Sequence, residues 1–368
     1  MRGQVADADS CSATGLAPVT AVSALRPRAA PRKEVRRPLS ARLIGLVVLL
    51  AVLVLACALS VALGKRDVPL GSVFQALFHY DPDNFVHNVI ADRVPRTLVG
   101  LLAGVALGLA GTMMQGVARN PLADPGILGV NAGAAMFVVL AIQLFDFTSA
   151  GQFVWFSFVG AAVAAAAVYA IASAGRAGAT PVKLALAGAA CTAALTSITM
   201  ALLFLNVDTY DSFRFWQVGS LANRGWDVIG PLWPFVLVGT VIALATGRLL
   251  NGLSLGDDVA RSLGQRIGLS RLVIAVGVVV LCGAATSLAG PLAFVGLVVP
   301  HLARAAAGTD YRWVLPYAMV IAPILLLGAD IIGRLIEGNG EMQVGIVTAF
   351  VGAPIFVYLV RRKKLAEL

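Results

Sequence analysis

Long apolar segments without charged side chains follow one another along most of the chain. A helix needs about 20 apolar residues to cross a bilayer, and most of these segments approach that length. The windows without Lys, Arg, Asp or Glu are 43–64, 97–118, 125–145, 147–175, 184–207, 228–247, 272–303, 313–329 and 342–360. The window 272–303 is too long for one crossing and contains Gly290-Pro291, a pair that ends one helix and starts another. The pattern therefore predicts an all-α polytopic membrane protein with about ten transmembrane helices.

The composition separates a short first segment from the rest of the chain. Hydrophobic residues make up 59% of the 368 residues and charged residues only 13%, which argues against a soluble protein. Residues 1–40 are rich in Ala, Pro, Arg and Ser and have no apolar period, so they cannot bury enough surface to fold. We expect a disordered basic tail over 1–40 and a ten-helix domain over 41–368. A cleaved signal peptide is disfavoured because the window 43–64 is longer than a typical signal core.

The distribution of Lys and Arg predicts the orientation. An even number of crossings places both termini on one side, and with ten crossings that side carries 21 of the 28 Lys and Arg residues. Positive residues accumulate in cytoplasmic segments. We therefore expect a multi-pass protein of the cell inner (cytoplasmic) membrane with both termini in the cytoplasm. Anionic lipid accounts for the net charge of +9, so no nucleic-acid partner is needed.

The chain lacks the patterns that support chemistry of its own. It has no phosphate-binding Gly-x-x-x-x-Gly-Lys-Ser/Thr loop, and no Ser, His and Asp set or carboxylate pair at one membrane depth, so an enzyme is disfavoured. The three histidines and four cysteines are too dispersed for a short metal motif, and we expect no metal site and no cofactor. Any ATP, with its Mg²⁺, must be bound and hydrolysed by a partner chain.

The windows also bear on a different class of transporter. Ion-coupled secondary transporters usually keep an ionisable side chain inside the bundle to bind the driving ion. The predicted helices contain only His301, close to one end. An ion-coupled carrier is therefore the less favoured alternative.

A cytoplasmic segment at residues 254–264 has the pattern of an additional short helix. Ser254 and Asp257 stand at capping-box spacing, and Asp257 with Asp258 would place negative charge at the positive end of a helix. Gly264 marks its end. The apolar residues that then fall on one stripe are Leu255, Val259 and Leu263. The pattern alone leaves open whether this stripe packs on the bundle or on a partner protein.

The predicted helix 97–118 contains regularly spaced glycines, followed by two methionines and a glutamine. Its glycines at four-residue spacing, which let a neighbouring backbone approach closely in lipid, are Gly100, Gly104 and Gly108. Three candidates for a transport pathway follow, namely Met113, Met114 and Gln115. A polar amide beside two thioethers could line a path, although core packing is the simpler explanation for the methionines.

Five sequence blocks in order resemble the FecCD-type permeases of ATP-binding-cassette (ABC) importers for iron-siderophores, haem and cobalamin. The blocks are RVPRTLVGLLAGVALGLAGTMMQGVARNPLADPGILGVNAG from Arg93, LSLGDDVARSLGQRIG from Leu253, GPLAFVGLVVPHLARAAAGTDYRWVLP from Gly290, ADIIGRLI from Ala329 and GIVTAFVGAPIFVYLVRRKK from Gly345. The resemblance covers about residues 45–362. Within the family, LNVDTYDSFRFWQVGSL from Leu205 and the segment after Asn251 are most similar to ferric-enterobactin permeases.

The resemblance implies a type II ABC importer permease fold and inward transport of a ferric siderophore. Haem or cobalamin transport on the same scaffold remains the alternative. The implied partners are a pair of ABC ATPase subunits, an extracytoplasmic solute-binding protein and a second permease subunit. A heterodimer is favoured by the ferric-enterobactin likeness, and a homodimer is possible.

The resemblance also assigns roles by position. The segment 254–264 is similar to the family's coupling helix, which contacts the ATPase. That implies coupling roles for Leu255, Asp257, Asp258, Val259, Leu263 and Gly264. The family's docking arginines, which pair with glutamates of the binding protein, match Arg93, Arg96 and Arg334. Arginine suits such pairing because its planar fork holds a carboxylate with two hydrogen bonds; the alternative is that these residues anchor helix ends at lipid head groups.

The turn between the fourth and fifth predicted helices is similar to the family's cytoplasmic gate. The residues concerned are Gly178, Ala179, Thr180 and Pro181. Their small side chains would let two copies approach and close the path. An ordinary turn explains Gly178 and Pro181 equally well.

Overall fold

The computed structural model describes residues 38–64, 68, 70–147, 149–174, 180–336 and 342–361, all of which belong to one compact unit, Arg37–Leu368. The described residues form α-helices and one 3₁₀ turn, Pro125–Leu128, and no strand. The predicted tail lies outside them except for its last three residues, of which Leu39 begins the first helix.

The helices are numbered in chain order. Their bounds are α1 Leu39–Ala62, α2 Leu70–Phe78, α3 Phe85–Ala118, α4 Val130–Phe145, α5 Ala150–Ser173, α6 Pro181–Leu205, α7 Val207–Gln217, α8 Trp226–Ala245, α9 Gly247–Ser254, α10 Asp257–Ser262, α11 Ile267–Ala289, α12 Val295–Ala307, α13 Tyr311–Ile336 and α14 Val344–Arg361.

The apolar windows correspond to helices, but not all of these helices are long. Within the described residues, seven helices are long and apolar enough to cross a membrane: α1, α3, α5, α6, α8, α11 and α13. The helices α4, α12 and α14 occupy the other predicted positions with shorter apolar stretches. The all-helical, multi-pass architecture is confirmed, and ten crossings stay a prediction.

The break predicted within 272–303 is present. The helix α11 ends at Ala289, and Gly290 adopts a positive φ of 77° while its N–H bonds to the carbonyl of Thr286. Glycine is suited to this left-handed region because it has no Cβ. Since α12 begins only at Val295, one long apolar window yields two separate helices.

The long helix α3 forms the centre of the bundle and packs closely on α13 and α12. A Cβ on Gly104 would lie 2.6 Å from the Cα of Pro323 in α13. A Cβ on Gly111 would overlap the carbonyl of Gly296 in α12. Two helices can approach this closely only where the side chain is a hydrogen atom. The close approach predicted from the glycine spacing is therefore confirmed, and α13 is the neighbour.

Candidate functional site

The short helix α10 lies at one end of the bundle, which we call the α10 end. It begins at Asp257, with Gly256 before it at φ 111°, and Gly264 follows it at φ 80°. The predicted start at Ser254 is wrong, because Ser254 is the last residue of α9 and its hydroxyl donates to the carbonyl of Asn251. The positive φ at Gly256 separates α9 from α10, so no capping box forms.

The apolar stripe predicted for this segment faces away from the bundle. The exposed fractions of Leu255, Val259 and Leu263 are 63%, 43% and 63%. Ala260, on the other side of α10, is fully buried. The bundle therefore does not cover the stripe in the single chain.

Asp257 fixes α10 to two of the long helices. Its carboxylate accepts hydrogen bonds from Arg119, just after α3, and from Arg271 in α11 at 3.0 and 3.1 Å. Arg119 also donates from Nε to the carbonyl of Leu253 at 2.6 Å. Burial raises the pKa of Asp257, but the hydrogen bond from Arg119 and the nearby arginine charges outweigh it, so the net pKa is below its ordinary value. Sequence spacing could not identify these partners.

Asp258 has a different environment from Asp257. It pairs with Arg261, one turn along the same helix, at 2.8 Å, and both side chains are exposed. An exposed pair of this kind contributes little to stability because solvent screens it. Asp258 therefore adds charge to the exposed surface of α10 and does not join the helix to the bundle.

The three predicted docking arginines meet at the opposite end of the bundle, which we call the Arg96 end. Arg93 donates to the carbonyls of Val61 and Ala62, each at 2.9 Å. Arg334 donates to the carbonyls of Ser60 and Leu63 at 2.8 and 3.0 Å. These four carbonyls belong to the last turn of α1, where a helix leaves its C=O groups without internal partners. The two arginines thus cap α1.

A buried carboxylate joins two of these arginines. Asp330 in α13 is 1% exposed. It accepts from Nε and Nη2 of Arg96 at 3.1 and 2.8 Å, and it pairs with Arg334 at 3.0 Å. Ser60 completes the cluster, since its hydroxyl lies 3.0 Å from Nη2 of Arg334. The cluster ties α1, α3 and α13 together.

This cluster corrects the expectation that His301 is the only ionisable residue inside the helices. The helix α13 continues past residue 329 to Ile336 and includes Asp330 and Arg334. The burial of these charged side chains is tolerated because their ion pairs and hydrogen bonds offset the cost of removing them from water. The signal that could have found the cluster is the spacing of Asp330 and Arg334, which are four residues apart.

The proposed pathway residues contribute to packing within this chain. Met113 and Gln115 are buried. Gln115 donates to the carbonyl of Leu297 at 3.1 Å and accepts from Arg304 at 2.6 Å, which links α3 to α12. Met114 lines an apolar cavity of about 440 Å³ beside α6 and α11. Gln115 borders a second cavity, of about 170 Å³, together with Arg119 and Tyr311.

Part of the proposed gate lies outside the described residues, namely Gly178 and Ala179. Thr180 caps the start of α6, because its side chain accepts from the backbone N–H of Lys183 at 3.4 Å. Pro181 occupies the first helical position, where its missing N–H costs nothing. These two residues begin a helix, which is the ordinary structural role.

Comparison with known proteins decides the family. A model of the FecCD transport family matches residues 51–362. The chain belongs to the FecCD transport family. This FecCD chain is 46% identical over 322 residues to the ferric enterobactin transport system permease protein FepD of Escherichia coli (strain K12), covering 88% of this chain and 96% of that protein.

Two further comparisons agree with this FecCD assignment. The probable siderophore transport system permease protein YfiZ of Bacillus subtilis (strain 168) is 43% identical over 324 residues, covering 88% of this chain and 97% of that protein. A solved inward-facing ABC transporter of the metal-chelate type is similar with a TM-score of 0.75 and 28% identity. That match covers 87% of this chain and 99% of the solved one.

Proposed function

We propose that this FecCD chain is the transmembrane permease subunit of an ABC importer that takes up ferric siderophores. The observation that carries the proposal is the 46% identity to the ferric enterobactin permease over nearly the full length of both chains. YfiZ supports the same class of substrate. The substrate would move inward by alternating access while a separate ATPase subunit hydrolyses ATP.

The α10 end would contact the ATPase pair, which would bind ATP and Mg²⁺. The exposed apolar stripe of Leu255, Val259 and Leu263 supports this contact, because an exposed apolar patch with a charged rim is typical of an interaction site. Asp258 belongs to that rim. The ion pairs of Asp257 would let α10 transmit movement to α3 and α11 rather than bend independently.

The Arg96 end would receive the extracytoplasmic solute-binding protein. Arg93 and Arg96 are partly exposed and could meet carboxylates of that partner. Arg334 is buried, so its part would be to hold α1 and Asp330 in place beneath the docking surface. In this orientation the α10 end and both termini would lie in the cytoplasm.

A second permease subunit would complete the pathway. Many apolar side chains along α6 are exposed in the single chain, and a second copy or a related subunit would cover part of them. The turn before α6, with Gly178 and Ala179, would then lie near the axis as the gate. The likeness to the ferric enterobactin permease favours a heterodimer.

Uptake of radioactive iron tests the proposal. Cells with and without this gene would be given a panel of ferric siderophores, with haem and cobalamin as competing cargoes. We expect loss of at least one siderophore class in cells that lack the gene. If every siderophore still enters but haem or cobalamin does not, the substrate assignment is wrong and the transporter assignment stands.

A further inference from the structure

An open cavity of about 740 Å³ lies at the Arg96 end, among the ends of α3, α5, α7 and α14. This volume is within the range of small-molecule sites in proteins. The side chains that give the cavity its character are Trp216, Ser220, Asn223, Arg224 and Gln343. We call it the Arg224 cavity.

Arg224 is the unusual residue of this cavity. It is 9% exposed, and its Nε is buried with no hydrogen-bond partner among the described residues. The indole N–H of Trp216, which is 2% exposed, also has no partner there. Buried polar groups in proteins are nearly always paired, and a buried charge without a partner is costly. Both side chains line the same cavity, although these two atoms are themselves shielded from water, so a ligand that accepts hydrogen bonds would meet the other N–H groups of the Arg224 guanidinium.

Three other charged side chains line the cavity, namely Arg96, Asp211 and Asp227. Arg96 holds Asp330, and Asp211 pairs with Arg214 at 3.3 Å. Asp227 lies against the backbone of Gly151 and Gly225. Its charge acts on Arg224 only at longer range, because no hydrogen bond or ion pair joins the two within the described part of the chain.

Arg224 keeps its charge at neutral pH. Burial lowers the pKa of its guanidinium to about 10, and the charge of Asp227 partly opposes that shift. The group is therefore protonated at pH 7. A protonated guanidinium in a cavity is suited to an oxyanion such as a carboxylate or a catecholate.

The loop that carries Arg224 is firmly held. The N–H of Ser220 donates to the carbonyl of Ala289 at 2.8 Å, at the end of α11. The N–H of Gly345, in α14, donates to the carbonyl of Gly219 at 3.1 Å. Because two helix ends fix the loop, the donors of the cavity are positioned before a ligand arrives, which lowers the entropic cost of binding.

We propose that the Arg224 cavity is an entry subsite for the anionic groups of a ferric chelate, with the guanidinium of Arg224 as its charged hydrogen-bond donor. This inference rests on the proposed function and narrows its substrate class to chelates with net negative charge. The subsite would hold the chelate after it leaves the binding protein and before it passes into the bundle.

Uptake kinetics of the complete transporter in cells test the inference. The probes are the iron(III) complex of a tricatecholate, which is anionic, and the iron(III) complex of a trihydroxamate, which is neutral. The variant Arg224→Gln removes the charge and Arg224→Lys restores it, and the neutral chelate is the matched control. Membrane levels of each variant are measured so that rates are compared per transporter.

We expect Arg224→Gln to raise the KM for the anionic chelate by about tenfold or more, the loss typical of a hydrogen bond to a charged group. Arg224→Lys should recover part of this loss, and the KM for the neutral chelate should stay unchanged in Arg224→Gln. An unchanged KM in Arg224→Gln, or an equal loss for both chelates, overturns the inference and leaves the proposed function intact. If the wild type imports no ferric chelate, the proposed function fails and the inference with it.

Binding of the substrate-free solute-binding protein distinguishes the two sources of a carboxylate. The affinity of that protein for the purified transporter should be the same in the wild type and in Arg224→Gln. A weakened affinity in the variant would mean that Arg224 meets a carboxylate of the partner protein, and the chelate subsite would be wrong.

Discussion

Asp330 is the residue at which α1, α3 and α13 are connected. Its carboxylate is held by two guanidinium groups, and one of these also caps the last turn of α1. Removal of one partner from a buried ion pair leaves an uncompensated charge, which costs more than the pair contributes. Asp330 should therefore matter for the stability of the Arg96 end even though it touches no substrate.

We expect Asp330→Asn to destabilise the protein strongly, by about 3–5 kcal/mol. The matched control is Asp211→Asn, which breaks a pair whose side chains are both more than half exposed and should cost about 0–1 kcal/mol. Thermal unfolding of the purified variants in the same detergent measures the difference. Equal melting temperatures for the two variants would contradict the role of Asp330.

A second residue-scale prediction concerns the pH dependence of Asp257. Its folded-state pKa lies below the ordinary value, so its stabilising effect is complete above the unfolded pKa of about 3.9 and is lost as the pH falls through the folded value. The difference in melting temperature between the wild type and Asp257→Asn should be constant from about pH 5 to 8. It should shrink at lower pH, and a change near neutral pH would contradict this assignment.

At the scale of elements, α10 combines fixed position with an exposed apolar surface. The sequence predicted one helical stripe of Leu255, Val259 and Leu263; all three are exposed, but only Val259 lies within α10. The structure buries Ala260 and exposes Val259. The stripe is therefore available to the proposed ATPase partner.

We expect Val259→Glu to release the ATPase subunits from the membrane unit, since it would place a charge at the centre of an apolar contact. The matched control is Arg261→Glu, which introduces the same side chain at an exposed position two residues further along the helix and so on a different face from Val259. Co-purification of the ATPase with the tagged permease measures the effect. Retention of the ATPase by Val259→Glu would show that the stripe is not the contact.

At the scale of the whole molecule, the two ends differ in charge chemistry. The α10 end carries exposed charged and apolar groups, whereas the Arg96 end holds a buried ion cluster and the Arg224 cavity. The excess of Lys and Arg on the side of the termini predicts that the α10 end is cytoplasmic.

Site-directed labelling tests this orientation. In a variant with its four native cysteines replaced, single cysteines would be introduced as Ser262→Cys at the α10 end and Ser149→Cys at the other. A membrane-impermeant maleimide should label residue 262 only in inside-out vesicles and residue 149 only in right-side-out vesicles. The reverse pattern would overturn the predicted topology.

The sequence by itself determined where the apolar helices lie and that 272–303 forms two of them. It could do so because lipid imposes length and composition on each segment independently of its neighbours. The motifs that resemble FecCD-type permeases likewise lie within contiguous blocks.

Only the tertiary structure decided which charged groups meet. Arg96 and Asp330 are 234 residues apart, and Asp257 pairs with Arg119, just after α3, and with Arg271 in α11. The start of α10 was also missed, because it depends on where α9 ends. Long-range pairing and burial follow from how helices pack against each other, which no local pattern of residues records.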